Sequence, residues 1–152
     1  MPTRSRNETP RLERYFTYRL NTLSRLNDIA SQELYHAASG LSLPESRCLA
    51  AVGSFPELTV NQLAFEANLD KAQASRAAQG LVDRGLMTKT SSAEDRRSVR
   101  LALTPAGKAM WSTVMAMIDE RNQALLGCLS KSQQQQLTDM FDLMLAHAKA
   151  RG

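Results

Sequence analysis

The sequence predicts a mainly α-helical protein that carries one small β-hairpin. Three observations predict it. Long apolar stripes at helical spacing occupy both ends of the chain, three helix-start signatures crowd together in its middle, and one short stretch, Val99 to Leu103, switches to strict alternation before the helical period returns.

Residues 1–10, with Pro2, Pro10 and alternating charges, read as a terminal arm. From Leu12 to about Ala38, apolar residues recur at Tyr15, Phe16, Leu20, Leu23, Leu26, Ile29, Ala30 and Leu34, which lays one stripe along a first helix that Gly40 stops. Next come three pairs in which a short polar side chain can accept from an orphan backbone N–H and a Glu or Gln three residues on can reach back. They are Ser42 with Glu45, Thr59 with Gln62, and Asp70 with Gln73. Helices are expected at 43–54, 60–67 and 71–84. Gly53, Ser54 and Pro56 separate the first two, Asn68 and Leu69 turn the second into the third, and Gly85 ends the third.

Beyond Gly85, Val99, Leu101 and Leu103 alternate with Ser98, Arg100 and Ala102, as a half-buried strand requires, and Leu86 to Thr90 can pair with it. Ser91 to Arg97 form the polar tip between them. Thr104 and Pro105 occupy favoured N-cap and N1 positions for a helix whose apolar face runs through Met110, Trp111, Val114, Met115, Ile118 and Leu125 to about Gly127. A last helix opens with Ser130 and Gln133 and repeats at Leu137, Met140, Phe141, Met144, Leu145 and Ala148.

A chain of 152 residues suits one domain, 1–152, with one core. Its hydrophobic fraction of 43% and charged fraction of 22% are those of a folded globular protein. No signal peptide and no stretch near the roughly 20 apolar residues of a membrane span is visible, so a cytoplasmic location without membrane contact is expected. Cys48 and Cys128 sit far apart in helical patterns and read as buried reduced thiols. His36 and His147 lack a second ligand at metal-binding spacing, and neither a Gly-rich phosphate loop nor a nucleophile elbow is present. No enzymatic activity, metal or cofactor is expected.

The net charge of +4 favours a polyanionic partner, and residues 59–108 hold a surplus of three basic over acidic side chains. Two short helices, a turn, a third helix and a hairpin make a plan suited to DNA, with the third helix in the major groove and the hairpin at the adjacent minor groove. On helix 71–84, Ala74, Ala78, Leu81 and Val82 share one side and Arg76 lies opposite, flanked by Ala72, Gln73, Gln79 and Asp83. Arg76 can read the O6 and N7 of guanine, Gln73 and Gln79 can pair with adenine, and Lys71 and Ser75 suit phosphate oxygens. A plain solvated face is the competing reading.

The stretch 85–108 resembles the wing of the multiple-antibiotic-resistance regulator (MarR) family, with Asp95-Arg96-Arg97 at the tip and Leu103-Thr104-Pro105-Ala106-Gly107 after the alternating strand. The resemblance extends through Gly40-Leu41-Ser42 and Leu58 to Ala64, covering about 40–108. It implies a winged helix-turn-helix lobe at 43–103, flanked by N- and C-terminal dimerisation helices at 11–39 and 104–150. It also implies a homodimeric repressor on a near-palindromic operator, with Arg97 in the minor groove, Asp95 fixing its guanidinium and Arg96 on a phosphate. Gly80 departs from the family pattern, which has a helix former there. Many relatives respond to small aromatic acids, so Arg47 is a candidate for an effector carboxylate, with Asn21, Ser24 and Asp28 sharing a face of the first helix. A structural salt bridge is the alternative for Arg47. Tyr15 and Tyr18 are present, but the first helix lacks the cysteine of the family's peroxide sensors. The rival function is a winged helix that contacts protein without specific DNA binding, which the basic tip disfavours.

Overall fold

The computed structural model describes residues 9–91 and 98–152. Within them the helices begin where short polar side chains can cap them. Ser42 Oγ accepts from the Glu45 N–H and the Ser42 N–H donates to Glu45 Oε1, both at 3.2 Å, opening α2 at Leu43–Ser54. Thr59 with Gln62 opens α3, Val60–Glu66, and Asp70 with Gln73 opens α4, Lys71–Asp83, through the same reciprocal pair. Ser130 and Gln133 form another such box before α6, Lys131–Arg151. Ahead of these lies α1, Phe16–Ser39, which Gly40 ends at φ 72°. Gly85, at φ 73°, turns the chain out of α4 in the same way. A side chain at that φ costs about 1–2 kcal/mol, so glycine is the natural stop. Asn68 makes the turn between α3 and α4 at φ 53°, a conformation Asn tolerates better than most residues.

The hairpin consists of β1, Met87–Ser91, and β2, Val99–Leu103, antiparallel with Met87 opposite Leu103 and Lys89 opposite Leu101. Then α5, Pro105–Leu126, starts from Thr104, whose hydroxyl accepts from the Gly107 N–H. The chain is thus mainly α-helical with a two-stranded wing, as its sequence predicts. The core lies between α2, α3, α4, the hairpin and the middle of α5, around Leu49, Leu63, Ala78, Leu81, Leu101 and Val114. Among the described residues, α1 contributes only Ser31 and Tyr35 to the buried set, and α6 contributes none, with Gln134, Leu137 and Phe141 half-buried.

Three features differ from the sequence reading. The first helix does not run unbroken from Leu12: Leu12–Arg14 form a 3-10 turn, and Tyr15 is extended at φ −77°, ψ 139°. Neither Arg11 nor Tyr15 caps the segment that follows it, so nothing local continues the turn into the helix. The loop before α3 also joins the wing: the Leu101 N–H donates to the Leu58 carbonyl at 2.9 Å, and Arg100 Nη1 donates to Glu57 Oε2 at 2.8 Å. A pairing this short leaves no alternation to read. Finally, Cys48 is buried, which raises its thiol pKa to about 12, whereas Cys128 is exposed within the subunit. Cys128 falls in the turn after α5, beyond the helical pattern that would have turned it inward.

Candidate nucleic-acid interface and adjoining cavity

The sequence of α4 divides it into two faces. Ala74, Ala77, Ala78 and Leu81 are buried, and three alanines let α4 approach its neighbours closely. Lys71, Gln73, Ser75, Arg76 and Gln79 are exposed on the other side. They differ in what they are free to do. Arg76 makes no hydrogen bond or ion pair with any described residue. Gln73 spends its Oε1 on the Asp70 N–H at 3.3 Å, leaving only its amide N–H groups for a ligand. Gln79 uses both ends: Oε1 accepts from Lys89 Nζ at 2.9 Å and Nε2 donates to Asp83 Oδ1 at 2.8 Å. Lys71 and Ser75 lie on the first and second turns, where the positive end of the helix dipole favours anionic oxygens.

Gly80 has a packing reason. A Cβ there would stand 3.0 Å from Glu45 Oε2, and that oxygen accepts from Arg84 Nε at 3.1 Å. Glu45 therefore caps α2 with one oxygen and crosses α4 with the other, through space that Gly80 leaves open.

The root of the wing is equally tight. Thr104 Oγ1 donates to the Gly85 carbonyl at 2.7 Å and accepts from the Gly107 N–H at 3.0 Å, while the Thr104 N–H donates to the Leu86 carbonyl at 3.1 Å. A Cβ on Gly107 would lie 1.9 Å from that Leu86 oxygen. The Thr-x-x-Gly spacing thus locks the start of α5 onto the end of α4. Asp95, Arg96 and Arg97 lie outside the described residues.

Behind α2 lies a cavity of about 330 Å³, lined from α1 by Asn27, Asp28 and Tyr35, from α2 by Ser46 and Arg47, and from α5 by Arg121. Arg47 Nη2 pairs with Asp28 Oδ1 at 2.5 Å. Arg121 reaches Asn27 Oδ1 with Nε at 3.4 Å and Nη2 at 3.3 Å. Among the described residues Ser46 Oγ has no hydrogen-bond partner, although the residue is 2% exposed. Such a group costs about 1–3 kcal/mol relative to a satisfied one. Burial pushes the Tyr35 hydroxyl pKa above its ordinary value, against the pull of the Arg121 and Arg47 charges.

Of the four residues marked for an effector, Asp28 and Arg47 meet in this cavity. Asn21 and Ser24 do not line it and are exposed. They share a face with Asp28 but lie roughly two turns and one turn earlier, about 10 Å and 6 Å along the axis. Ser46 and Arg121 escaped the sequence reading. The signal for Arg121 was a cation three residues beyond Ile118 on an apolar stripe, and Ser46 gave none.

The model of the MarR family matches residues 39–98, from the end of α1 to the wing. The HTH-type transcriptional repressor Rv2887 of Mycobacterium tuberculosis is 27% identical over 122 residues, which is 79% of this chain and 88% of the repressor. A MarR-family transcriptional regulator from Silicibacter pomeroyi has a similar structure, with a TM-score of 0.76 and 26% identity over 90% of this chain and 92% of that one. The structure of Rv2887 in complex with salicylic acid has the same fold, with a TM-score of 0.72 and 22% identity over 91% and 98% of the two chains.

Proposed function

We propose that the chain is a winged helix-turn-helix transcriptional regulator of the MarR family, a DNA-binding protein and not an enzyme, and that it acts as a homodimeric repressor of a near-palindromic operator. The observation that carries the reading is Arg76, exposed midway along α4 and uncommitted to any described partner. A guanidinium held there can donate two parallel hydrogen bonds to the O6 and N7 of one guanine. Lys71 and Ser75 take phosphates, and Asp95, Arg96 and Arg97 are assigned to the wing contact. Arg76→Ala should cost about 1–3 kcal/mol of operator affinity and relax the preference at one base pair per half-site. Competition titrations with singly substituted operators check this. Equal weakening on every sequence would make Arg76 a phosphate contact and remove the basis for sequence reading by α4.

The homodimer is supported by what one subunit leaves uncovered. Met140 (54% exposed) and Leu143 (72%) on α6, and Leu23, Leu26 and Ile29 (64%) on α1, present apolar side chains to solvent. Apolar helix surface left in water is a liability, and a second copy supplies the missing cover. Segments 11–39 and 104–150 are assigned to that association, and 43–103 to DNA.

The effector is proposed to be a small aromatic acid held in the cavity by Arg47. The guanidinium keeps donors beyond the one Asp28 uses, Arg121 adds a second positive charge, and Ser46 offers an unspent hydroxyl. The salicylic acid complex of Rv2887 supports this class of ligand. The cavity lies between α1 and α5 on one side and α2 on the other, so a ligand can favour one placement of the DNA-binding lobe. From a panel of benzoates and cinnamates, a compound should release the wild-type protein from DNA and fail on Arg47→Ala, which still binds DNA. Release that survives this substitution would move the effector away from Arg47.

A further inference from the structure

Gln79 stands on the exposed face of α4, where its side chain has the chemistry to read adenine. That reading needs both ends of the amide, one to accept from N6–H and one to donate to N7. Both ends are occupied within the protein: Lys89 Nζ donates to Oε1 and Asp83 Oδ1 accepts from Nε2. The partners also fix which end is which, because an ammonium only donates and a carboxylate only accepts. Each bond has a charged partner, the stronger class of hydrogen bond. Each end keeps one further site, the second lone pair of Oε1 and the second N–H of Nε2. Reading adenine would require those two to meet the base edge while Lys89 and Asp83 hold the amide where it is, and releasing the partners instead would leave the Asp83 carboxylate unpaired beside the polyanion.

We propose that Gln79 is a positioning residue that ties the wing to the recognition helix, and that base reading by α4 is confined to its N-terminal half, up to Arg76. The proposal rests on the DNA-binding reading above. Lys89 belongs to β1, in register with Leu101 of β2, so the hydrogen bond to Gln79 spans from α4 to the hairpin. Asp83 lies one turn beyond Gln79 and holds the other end of the amide, which sets its rotamer. The link therefore orients the wing relative to α4. The Gly80 approach of Glu45 pins the same turn from the opposite side, so the C-terminal half of α4 is held from both the wing and α2.

The test is duplex selection from a random pool by the full-length wild type, Gln79→Ala, Lys89→Met and the double variant, followed by titration on the operator the wild type selects. All four should recover the same base preferences. Each single variant should lose about fivefold in affinity, and the double variant should lose no more than either, as expected when both changes break one link. A preference relaxed at one position per half-site by Gln79→Ala but not by Lys89→Met would overturn the proposal and make Gln79 a reader. Additive losses, or no loss, would overturn it as well. Failure of the wild type to select any sequence would instead remove the DNA-binding reading on which the proposal stands.

Discussion

Phe141→Asp should abolish the proposed dimer and with it tight operator binding, leaving monomers or aggregates. Leu137, Met140, Phe141 and Met144 fall at positions i, i+3, i+4 and i+7, which places them on one face of α6. Among the described residues α6 has none fully buried: Leu137 and Phe141 are half-buried and Met140 and Met144 exposed, and in the proposed dimer the second chain supplies the rest of the cover. A carboxylate introduced among Leu137, Met140 and Met144 has only apolar neighbours on that face, and burying it unpaired costs several kcal/mol. Sedimentation or size-exclusion measurements check the mass, and a gel shift on the same samples checks DNA binding. A stable dimer that still binds its operator would contradict the assignment of α6.

Gly107→Ala should destabilise the fold by at least about 3 kcal/mol, a large value even for a buried site. The added methyl would stand 1.9 Å from the Leu86 carbonyl oxygen, and that oxygen is fixed by the Thr104 N–H. Neither partner is the movable end of a side chain, so relief requires the start of α5 to back away from the end of α4. That movement also breaks the bond from the Thr104 hydroxyl to Gly85. The prediction is read as a drop in the urea midpoint at unchanged m-value. A change within about 0.5 kcal/mol, the range of an ordinary surface substitution, would mean that the wing root does not rest on this contact.

What the sequence made legible is what local chemistry decides. A capping box needs only residues three apart, and Ser42, Thr59 and Asp70 all open helices as read. A left-handed stop needs one glycine, and both Gly40 and Gly85 serve. Opposition of Arg76 to the buried alanines follows from helical period alone. The functional state of the same face depends on partners far along the chain. Gln79 looked free until the register of β1 placed Lys89 beside it, and Gly80 looked costly until Glu45 crossed over it, 35 positions earlier in the sequence. The cavity shows a related limit: spacing grouped Asn21 and Ser24 with Asp28, but only the packing of α2 against α1 decides how far along the helix the cavity extends.

The most direct measurement of the central claim is selection of duplex DNA from a random pool by the wild-type protein. The recovered sequence should be a near-palindrome whose half-site centres lie about 10–10.5 base pairs apart, the spacing at which a two-fold pair of recognition helices meets successive major grooves. Recovery of a single asymmetric site, or of no preferred sequence, would contradict a two-fold dimer reading DNA through α4.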